Sequence, residues 1–372
     1  RTLRQEVLQN RKRYLNTDSD SEMLMQLFAD SLQQLMGPSS DESITEERFF
    51  DLLCQATDEL FSLAEGSISA VSLIKDRGLL AMRDPHGIRP LVMGERVSAT
   101  GRKEYIFASE DTMFYMLGFT LVRDIDPGEI VYINQAGQLF AKRLRVETFN
   151  PCIFEYVYFS RPDAMMNNIS VYRARLRMGE NLGKRWKQVY GDKRPDVIIP
   201  APSTSNTMAL AMARELGVNY SEGLHKNPFI GRTFIMANQE ERRQSVRFKL
   251  VPQRLEIMNK VVMIVDDSIV RGTTSREIVA MVRNFGAKEV YFASACPPVV
   301  KPCFYGVDIP TSGELLAATY DLEASRQYLG VEILFYQQLE DLIEAVTRKG
   351  KHHIDSPCHA CLGGPYIQRN AV

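Results

Sequence analysis

Long apolar runs, an excess of one charge and a secretory leader are all missing from this sequence. No apolar stretch approaches the roughly 20 residues of a membrane-spanning helix, which excludes a typical membrane protein. Lys and Arg number 45 and Asp and Glu 46, so the net charge of −1 excludes a generic polycation that binds nucleic acid. The 23 glycines and 17 prolines are too few for a low-complexity chain. Without a signal peptide, we expect a cytoplasmic protein.

An initiator methionine is also missing. The chain begins at Arg1, and its first residues, RTLRQEVLQNRKRYL, resemble the middle of a domain. We therefore interpret the sequence as a fragment that lacks its true N-terminus; a processed mature protein is the alternative. Its 372 residues are enough for two or three domains at roughly 150 residues each.

Cysteine is scarce, with six residues in the whole chain. In a cytoplasmic protein of this length they do not form a disulfide framework. Cys54 lies in an amphipathic segment and Cys296 among small residues, so we predict structural roles for both. The other four come from three segments, which is typical of a metal site, and zinc and an iron–sulfur cluster are not separated by the count. Unrelated thiols are the alternative. These four are Cys152, Cys303, Cys358 and Cys361.

The hydrophobic pattern changes twice along the chain. Residues 18–65 predict two amphipathic helices, and residues 66–147 predict a series of short strands, which together indicate an α+β domain. From about residue 150, strands and helices alternate, as in a doubly wound parallel sheet. We place the domain boundaries at 1–148, 149–330 and 331–372, the last being a mostly helical tail that carries cysteines. No internal repeat is visible.

The most informative motif is VVMIVDDSIVRGTTSRE at 261–277. An apolar strand ends in two carboxylates, Asp266 and Asp267, and a loop of small and hydroxyl residues then leads into a helix. Ligands of open α/β sheets bind at this edge, and a helix N-terminus attracts phosphate. Adjacent carboxylates suit ribose hydroxyls or Mg²⁺. A capped strand–helix turn is the plainer alternative, and the paired acids with RGTT argue against it.

The motif resembles the phosphoribosylpyrophosphate (PRPP) loop of type I phosphoribosyltransferases. Four further stretches, NTDSDSE (16–22), RDPHGIRPL (83–91), FEYVYFSRPD (154–163) and KNPFIGRTFI (226–235), resemble glutamine PRPP amidotransferases. The resemblance covers nearly the whole chain. It implies an incomplete α+β Ntn-hydrolase (glutaminase) domain, followed by an α/β type I phosphoribosyltransferase domain with a doubly wound parallel sheet. The implied reaction converts PRPP, glutamine and water to 5-phosphoribosylamine, glutamate and diphosphate, the first committed step of purine synthesis.

The resemblance also assigns roles to single residues. It assigns ribose hydroxyls and Mg²⁺ to Asp266 and Asp267. It assigns the 5′-phosphate to Ser268, Ile269, Val270, Arg271, Gly272, Thr273 and Thr274. It assigns pyrophosphate to Ser203, Thr204 and Ser205, with Ser205 as a further Mg²⁺ ligand. Lys226 and Arg232 belong to a cation-rich segment, 226–249, which the resemblance implies is a lid over the diphosphate; a solvated basic loop is the alternative. Here Pro228 and Phe229 replace the Arg and Tyr usual in the family.

The resemblance implies that the glutaminase nucleophile is an N-terminal cysteine, which this chain does not contain. We therefore expect no glutamine hydrolysis by the chain as given. Asp20 matches the acid that receives the glutamine α-ammonium, and a helix-capping role is its alternative. All four grouped cysteines match ligands in the [4Fe–4S]-containing branch of the family, with zinc as the alternative metal.

The family further suggests a homotetramer inhibited by purine nucleotides, with PRPP and glutamine or ammonia as substrates and no nucleic-acid or membrane partner. Two other functions share the PRPP loop. A PRPP-sensing regulator would lack the first domain, and a salvage phosphoribosyltransferase would need a base-recognition segment. Phosphoribosylamine formed from PRPP and ammonia distinguishes the proposed enzyme from both.

Overall fold

Helices and strands were located in a computed structural model that describes residues 3–37, 44–191, 193–227, 250–348 and 354–367. The described α-helices are α1 Leu3–Gln5, α2 Asp20–Met36, α3 Glu46–Leu63, α4 Val171–Tyr190, α5 Asn206–Leu216, α6 Arg254–Ile257, α7 Thr273–Asn284, α8 Leu316–Thr319, α9 Leu322–Leu329 and α10 Leu339–Thr347. The described strands are β1 Ser69–Ile74, β2 Gly78–Arg83, β3 Val92–Val97, β4 Lys103–Ala108, β5 Thr120–Asp124, β6 Glu129–Asn134, β7 Leu139–Arg143, β8 Met165–Met166, β9 Ile169–Ser170, β10 Val197–Pro200, β11 Asn219–Tyr220, β12 Leu224–Lys226, β13 Leu250–Pro252, β14 Val261–Asp266, β15 Glu289–Ser294 and β16 Ile333–Tyr336.

The first part of the chain has a helix layer and two antiparallel sheets. Helices α2 and α3 pack on a sheet with the order β1-β2-β6-β7, as the alternation of apolar residues predicts. Cys54 is buried in this core, so its predicted structural position is confirmed. On the opposite face, Ala81 and Val131 meet Leu91 and Met93, which connect to the second sheet, β4-β3-β5. The sequence predicted the helices and most strands of this α+β arrangement.

Strand β5 was not predicted. Its first three residues are exposed, so the segment TLVRD carries little of the alternation that marks a half-buried strand. Pairing with β3 supplies what the local sequence lacks, because β3 offers its free edge to Thr120–Asp124. The strand is therefore defined by its neighbour rather than by its own residues.

The second part is a five-stranded parallel sheet with the order β11-β10-β14-β15-β16. Helices α4, α5 and α10 cover one face, and α7 and α9 cover the other. The predicted doubly wound parallel sheet is confirmed. Strands β10 and β14 are adjacent, so the loops that follow them meet at the carboxyl edge of the sheet.

The predicted tail at 331–372 needs a correction. Its first segment is not helical, because Ile333–Tyr336 forms β16, which pairs in parallel with β15 and belongs to the central sheet. All four residues are buried. A short apolar run of this kind has no periodicity that separates a buried strand from a helix. Helix α10 and the cysteine-bearing turn at 358–361 follow, as predicted.

Helix α4 was not predicted, although it is the longest described helix and packs closely against α5. Its apolar stripe is formed by Val171, Ala174, Met178, Leu182 and Trp186, all buried at helical spacing. The stripe lies among many charged residues, which make the segment polar as a whole and hide the signal. Of the described helices, none is long and apolar enough to span a membrane.

Replacing Gly179 with alanine is expected to destabilise the protein by about 3 kcal/mol, because α4 and α5 approach each other at this residue. A Cβ atom there would lie 2.1 Å from the carbonyl oxygen of Met208 and 2.9 Å from the Cβ of Ala211. Backbone atoms do not move aside as a flexible side chain does. Chemical denaturation measures the effect. At Gly313, where an added Cβ meets nothing within 4 Å, alanine serves as the control; equal stability of the two variants would contradict the packing argument.

Candidate active site

Strand β14 delivers two carboxylates to the edge of the sheet. Its last residue, Asp266, accepts a hydrogen bond from the backbone N–H of Asp267 at 2.9 Å. The Ser268 hydroxyl donates to Asp267 at 2.8 Å. Asp266 is held in line because its backbone pairs with Ser294 of β15. Both carboxylates line one cavity of about 490 Å³ at this edge.

The environment of this pair disfavours its charged form. Burial raises the pKa of Asp266, and the charge of Asp267 raises it further. Burial raises the pKa of Asp267 to about 6, against the opposing effects of the Ser268 hydroxyl and the Arg175 charge. Two carboxylates held together under burial are stabilised by a cation that binds both. The pair therefore fits Mg²⁺, which commonly takes one or two protein carboxylates plus substrate phosphate oxygens.

The loop after Asp267 ends at the N-terminus of α7. Gly272 is the N-cap residue, with a φ of +74°, and a Cβ atom there would meet Leu316 at 2.9 Å. Only glycine suits both this backbone conformation and this close approach. Since glycine has no side chain that could cap the helix, the first N–H groups of α7 stay available to an anion. Arg271 of this loop pairs with Glu314 at 2.9 Å.

The structure brings most predicted site residues into this one cavity. The loop after β10 contributes Ser203 and Thr204, and Lys226 reaches it from the end of β12. The predicted residues that line the cavity are Ser203, Thr204, Lys226, Asp266, Asp267, Ser268, Val270, Arg271, Gly272, Thr273 and Thr274. Two separate stretches of sequence thus form one site, as the carboxyl edge of a parallel sheet requires.

Four predicted residues are not placed there. Ile269 is 1% exposed and anchors the loop in the core on the α7 face. Ser205 is completely buried, and its hydroxyl donates to the carbonyl oxygen of Ala201, so the group predicted to be a further Mg²⁺ ligand is engaged within its own loop. Asp20 is exposed in the first part of the chain. Arg232 and the proposed lid beyond Asn227, including Pro228 and Phe229, lie outside the described residues.

Several cavity residues were not predicted individually. Leu250, Ser275 and Ile278 line the cavity next to the predicted loops. Tyr158 lines it from the segment FEYVYFSRPD, whose resemblance to the family was noted without a role for any one residue. No local pattern marks Tyr158 as a site residue, because the chain reaches the cavity there from outside the sheet.

Asp20 is the first residue of α2, and the loop before it is held by Glu22. The Glu22 carboxylate accepts hydrogen bonds from the backbone N–H groups of Asn16 and Thr17 at 2.8 and 2.7 Å, and from the Thr17 hydroxyl at 2.6 Å. These bonds lower the pKa of Glu22 to about 2. The N-cap residue of α2 is Ser19. The alternative role for Asp20, that of the helix-capping residue, is therefore wrong.

The four grouped cysteines lie in or against the core on one face of the five-stranded parallel sheet. Cys152 and Cys358 lie on adjacent backbone segments, where the Ile153 N–H donates to the Cys358 carbonyl at 3.0 Å. The Cys361 carbonyl accepts from Val300 N–H at 2.9 Å, shortly before Cys303 in the chain. Three chain segments therefore come together around these side chains.

Burial sets the state of these thiols. It raises the pKa of Cys358 to about 11, and it raises the pKa values of Cys152 and Cys361 further, with the other cysteines of the group adding to each shift. Without a metal the thiols of Cys152, Cys358 and Cys361 are neutral, whereas a bound metal ion favours thiolates. Within the described ranges, no three Cys, His, Asp or Glu side chains are arranged around the position of a single metal ion.

Comparisons with known proteins agree with this geometry. A phosphoribosyl transferase domain matches residues 174–303. The chain is 42% identical to the amidophosphoribosyltransferase of Escherichia coli over 369 residues, which covers 99% of this chain and 71% of that protein. It is 44% identical to the amidophosphoribosyltransferase of Pseudomonas aeruginosa over 368 residues, covering 98% and 71% of the two chains.

A solved structure has the same fold along the whole chain. The glutamine PRPP amidotransferase of Bacillus subtilis, complexed with ADP and GMP, superposes with a TM-score of 0.81 at 34% sequence identity. The alignment covers 100% of this chain and 76% of that one. Sequence and structure lead to one conclusion: the chain belongs to the amidophosphoribosyltransferase family.

Proposed function

We propose that the cavity at the carboxyl edge of the parallel sheet binds PRPP and transfers its phosphoribosyl group to ammonia. The family reaction takes that ammonia from glutamine and serves purine biosynthesis. The observation that carries the proposal is the placement of Asp266 and Asp267 beside the uncapped N-terminus of α7, within one cavity. A sugar with phosphate groups at both ends needs this combination of carboxylates and anion sites.

Each side of the cavity has a part in this transfer. The first turn of α7 and the hydroxyls of Thr273 and Thr274 hold the 5′-phosphate. The loop with Ser203 and Thr204 holds the pyrophosphate, and Lys226 offsets its charge. Asp266 and Asp267 hold the ribose hydroxyls and Mg²⁺. When bound, Mg²⁺ stabilises negative charge on the leaving pyrophosphate.

Exclusion of water matters because ammonia and water compete for the same anomeric carbon. The nucleophile forms a new bond to C1 as the C1–oxygen bond to pyrophosphate breaks, and the electron pair leaves with the pyrophosphate. Tyr158, Leu250 and Ile278 give the cavity apolar surface.

A direct assay tests this function without glutamine. The purified chain is given PRPP, Mg²⁺ and ammonium at alkaline pH, and phosphoribosylamine and pyrophosphate are measured together. We expect equal amounts of both products. Parallel reactions offer adenine, guanine or hypoxanthine in place of ammonia. Transfer to a purine base would favour a salvage enzyme, and PRPP binding with no transfer to any acceptor would favour a regulator.

Glutamine use is the second half of the proposal. Asp20 receives the glutamine α-ammonium in an Ntn glutaminase domain, and the hydrogen bonds from Asn16 and Thr17 to Glu22 support a fixed position for the preceding loop. Glutamine binding to the purified protein, measured by calorimetry, should weaken in Asp20→Asn and remain unchanged in Asp18→Asn. Equal binding by both variants would contradict the role of Asp20.

We also propose that Cys152, Cys303, Cys358 and Cys361 ligate a [4Fe–4S] cluster. The convergence of four thiols from three segments in one core supports a shared ligand. The match of all four positions to the cluster-bearing branch of the family favours the cluster over zinc. The cluster would tie the C-terminal segment to the core of the five-stranded parallel sheet.

The remaining proposals concern regulation and assembly. We propose purine nucleotides as feedback inhibitors, a homotetramer and a cytoplasmic location. The solved relative complexed with ADP and GMP supports nucleotide binding, and another relative of equal TM-score is described as the allosteric regulatory enzyme of purine biosynthesis. Inhibition of the ammonia assay by AMP, ADP and GMP tests the first point, and light scattering tests the second.

A further inference from the structure

Arg175 is a buried arginine of α4 that bonds to backbone rather than to a carboxylate. It is 2% exposed. Its Nε donates to the carbonyl of Tyr156 at 2.9 Å, and one terminal nitrogen donates to the carbonyls of Tyr158 and Ser160 at 3.2 and 2.7 Å. Burying an arginine without a hydrogen-bonded carboxylate costs free energy of folding. We therefore expect a role that the guanidinium group fills here and that a smaller residue would not fill.

The three carbonyls belong to the segment that enters the second part of the chain. Glu155–Phe159 forms one turn of π-helix, closed by a hydrogen bond from the Ser160 N–H to the Glu155 carbonyl at 3.0 Å. Isolated π-turns of this kind are unusual and need outside support. Arg175 provides it, because a single planar group spans both the turn and the residue after it.

The segment matters because Tyr158 lines the PRPP cavity. The direction of its side chain follows from its backbone, and the Tyr158 carbonyl is itself bonded to Arg175. Burial lowers the pKa of Arg175, and the charges of Asp267 and Glu110 oppose that shift, so the guanidinium lies within electrostatic range of one member of the acidic pair. One buried residue thus touches the backbone of a cavity wall and lies near a proposed ligand of ribose and Mg²⁺.

We propose that Arg175 is a positioning residue for phosphoribosyl transfer, whose guanidinium fork holds the 155–160 segment so that Tyr158 forms the cavity wall beside the acidic pair. The inference rests on the function proposed above. Arg175 does not touch the substrate; it acts through Tyr158. Lysine keeps the charge but has no planar fork, so the geometry requires arginine rather than any cation.

The test compares wild type with Arg175→Met and Arg175→Lys in the ammonia assay and in calorimetric binding of PRPP with Mg²⁺. We expect kcat/KM for PRPP to fall by roughly 10- to 100-fold in Arg175→Met, mainly through KM, since small misplacements in a site have effects of this size. Arg175→Lys should recover only part of the loss. The matched control is Arg177→Met, because Arg177 lies on the same helix and donates to the carbonyl of Ala345 in α10 at 2.6 Å, away from the cavity.

A double-mutant cycle separates positioning from general stability. If Arg175 acts through Tyr158, then Arg175→Met changes kcat/KM by less than about threefold in a Tyr158→Ala background. Independent, multiplicative losses would overturn the proposal, as would normal PRPP binding by Arg175→Met. If Arg175→Met does not fold, the same cycle with Arg175→Lys decides. Failure of the wild type to bind or convert PRPP would instead contradict the proposed function.

Discussion

Exchange of both Asp266 and Asp267 for asparagine is expected to abolish phosphoribosylamine synthesis from PRPP and ammonia. The rate of this reaction should fall by roughly 10³-fold or more. The pair is the only place among the described cavity residues where two carboxylates meet. Asparagine keeps the shape and the oxygen that accepts from the Asp267 N–H and the Ser268 hydroxyl, but it removes the charge that Mg²⁺ and the ribose need. Steady-state kinetics with ammonia measures the loss.

The fold of this variant should remain intact. Burial raises the pKa of both residues, so their ionised forms lower the unfolding free energy of the metal-free protein. Neutral asparagines do not have this destabilising effect. We expect an unfolding free energy equal to or higher than that of wild type. Asp308→Asn, at an exposed aspartate of the same part of the chain, is the control for activity and stability. Turnover near the wild-type rate in the double variant would refute the assignment of the acidic pair.

The same pair predicts the pH dependence of stability without Mg²⁺. The pKa of Asp267 is about 6 in the folded protein, against an ordinary value of 3.8. Between these values the folded state binds more protons than the unfolded state, so the unfolding free energy falls as the pH rises through this window. The asparagine variant should lack that fall. Urea denaturation at pH 4 to 7 in a chelator measures the difference, and parallel pH profiles for both proteins would contradict it.

Exchange of Cys361 for serine is expected to release the C-terminal segment and lower the melting temperature, with much less effect on PRPP chemistry. The segment is held beside Val300 and Lys301 by the Cys361 carbonyl, and its thiol is buried among the other three. Loss of one ligand removes the proposed cluster, and with it the link among three chain segments. Thermal melting and the ammonia assay at low temperature, run side by side, separate the two effects.

Metal analysis of anaerobically purified protein identifies the bound group. We expect about four iron and four acid-labile sulfide per chain in wild type, and their loss in Cys361→Ser. Cys54→Ser is the control, because Cys54 is buried in the first part of the chain, apart from the group. Detection of zinc without sulfide would show that the bound group is zinc rather than the cluster. A wild-type protein free of both would refute both metal interpretations.

The sequence predicted elements whose signal is local. The strand–acid–loop–helix order of 261–277 and the helix that follows Ser203–Ser205 are each indicated by residues that are neighbours in sequence. Both were found where predicted. Strand β5 and strand β16 were missed or misassigned, since an exposed edge and a four-residue apolar run carry weak periodicity. Helix α4 was missed although its apolar residues recur at helical spacing, because the charged residues around them make the segment polar as a whole. Each of these became regular structure through a partner distant in sequence.

The sequence by itself determined the chemistry available to this protein: two adjacent carboxylates, a loop with glycine and hydroxyls before a helix, and four cysteines in three segments. Tertiary structure alone decided which of these groups meet. It brought Tyr158 to the cavity and Arg175 behind it, and it buried the hydroxyl of Ser205 within its own loop. The reason is physical: residue types and short-range spacing fix what a group can bind, whereas the parallel sheet, with its crossover helices, fixes which distant segments share an edge.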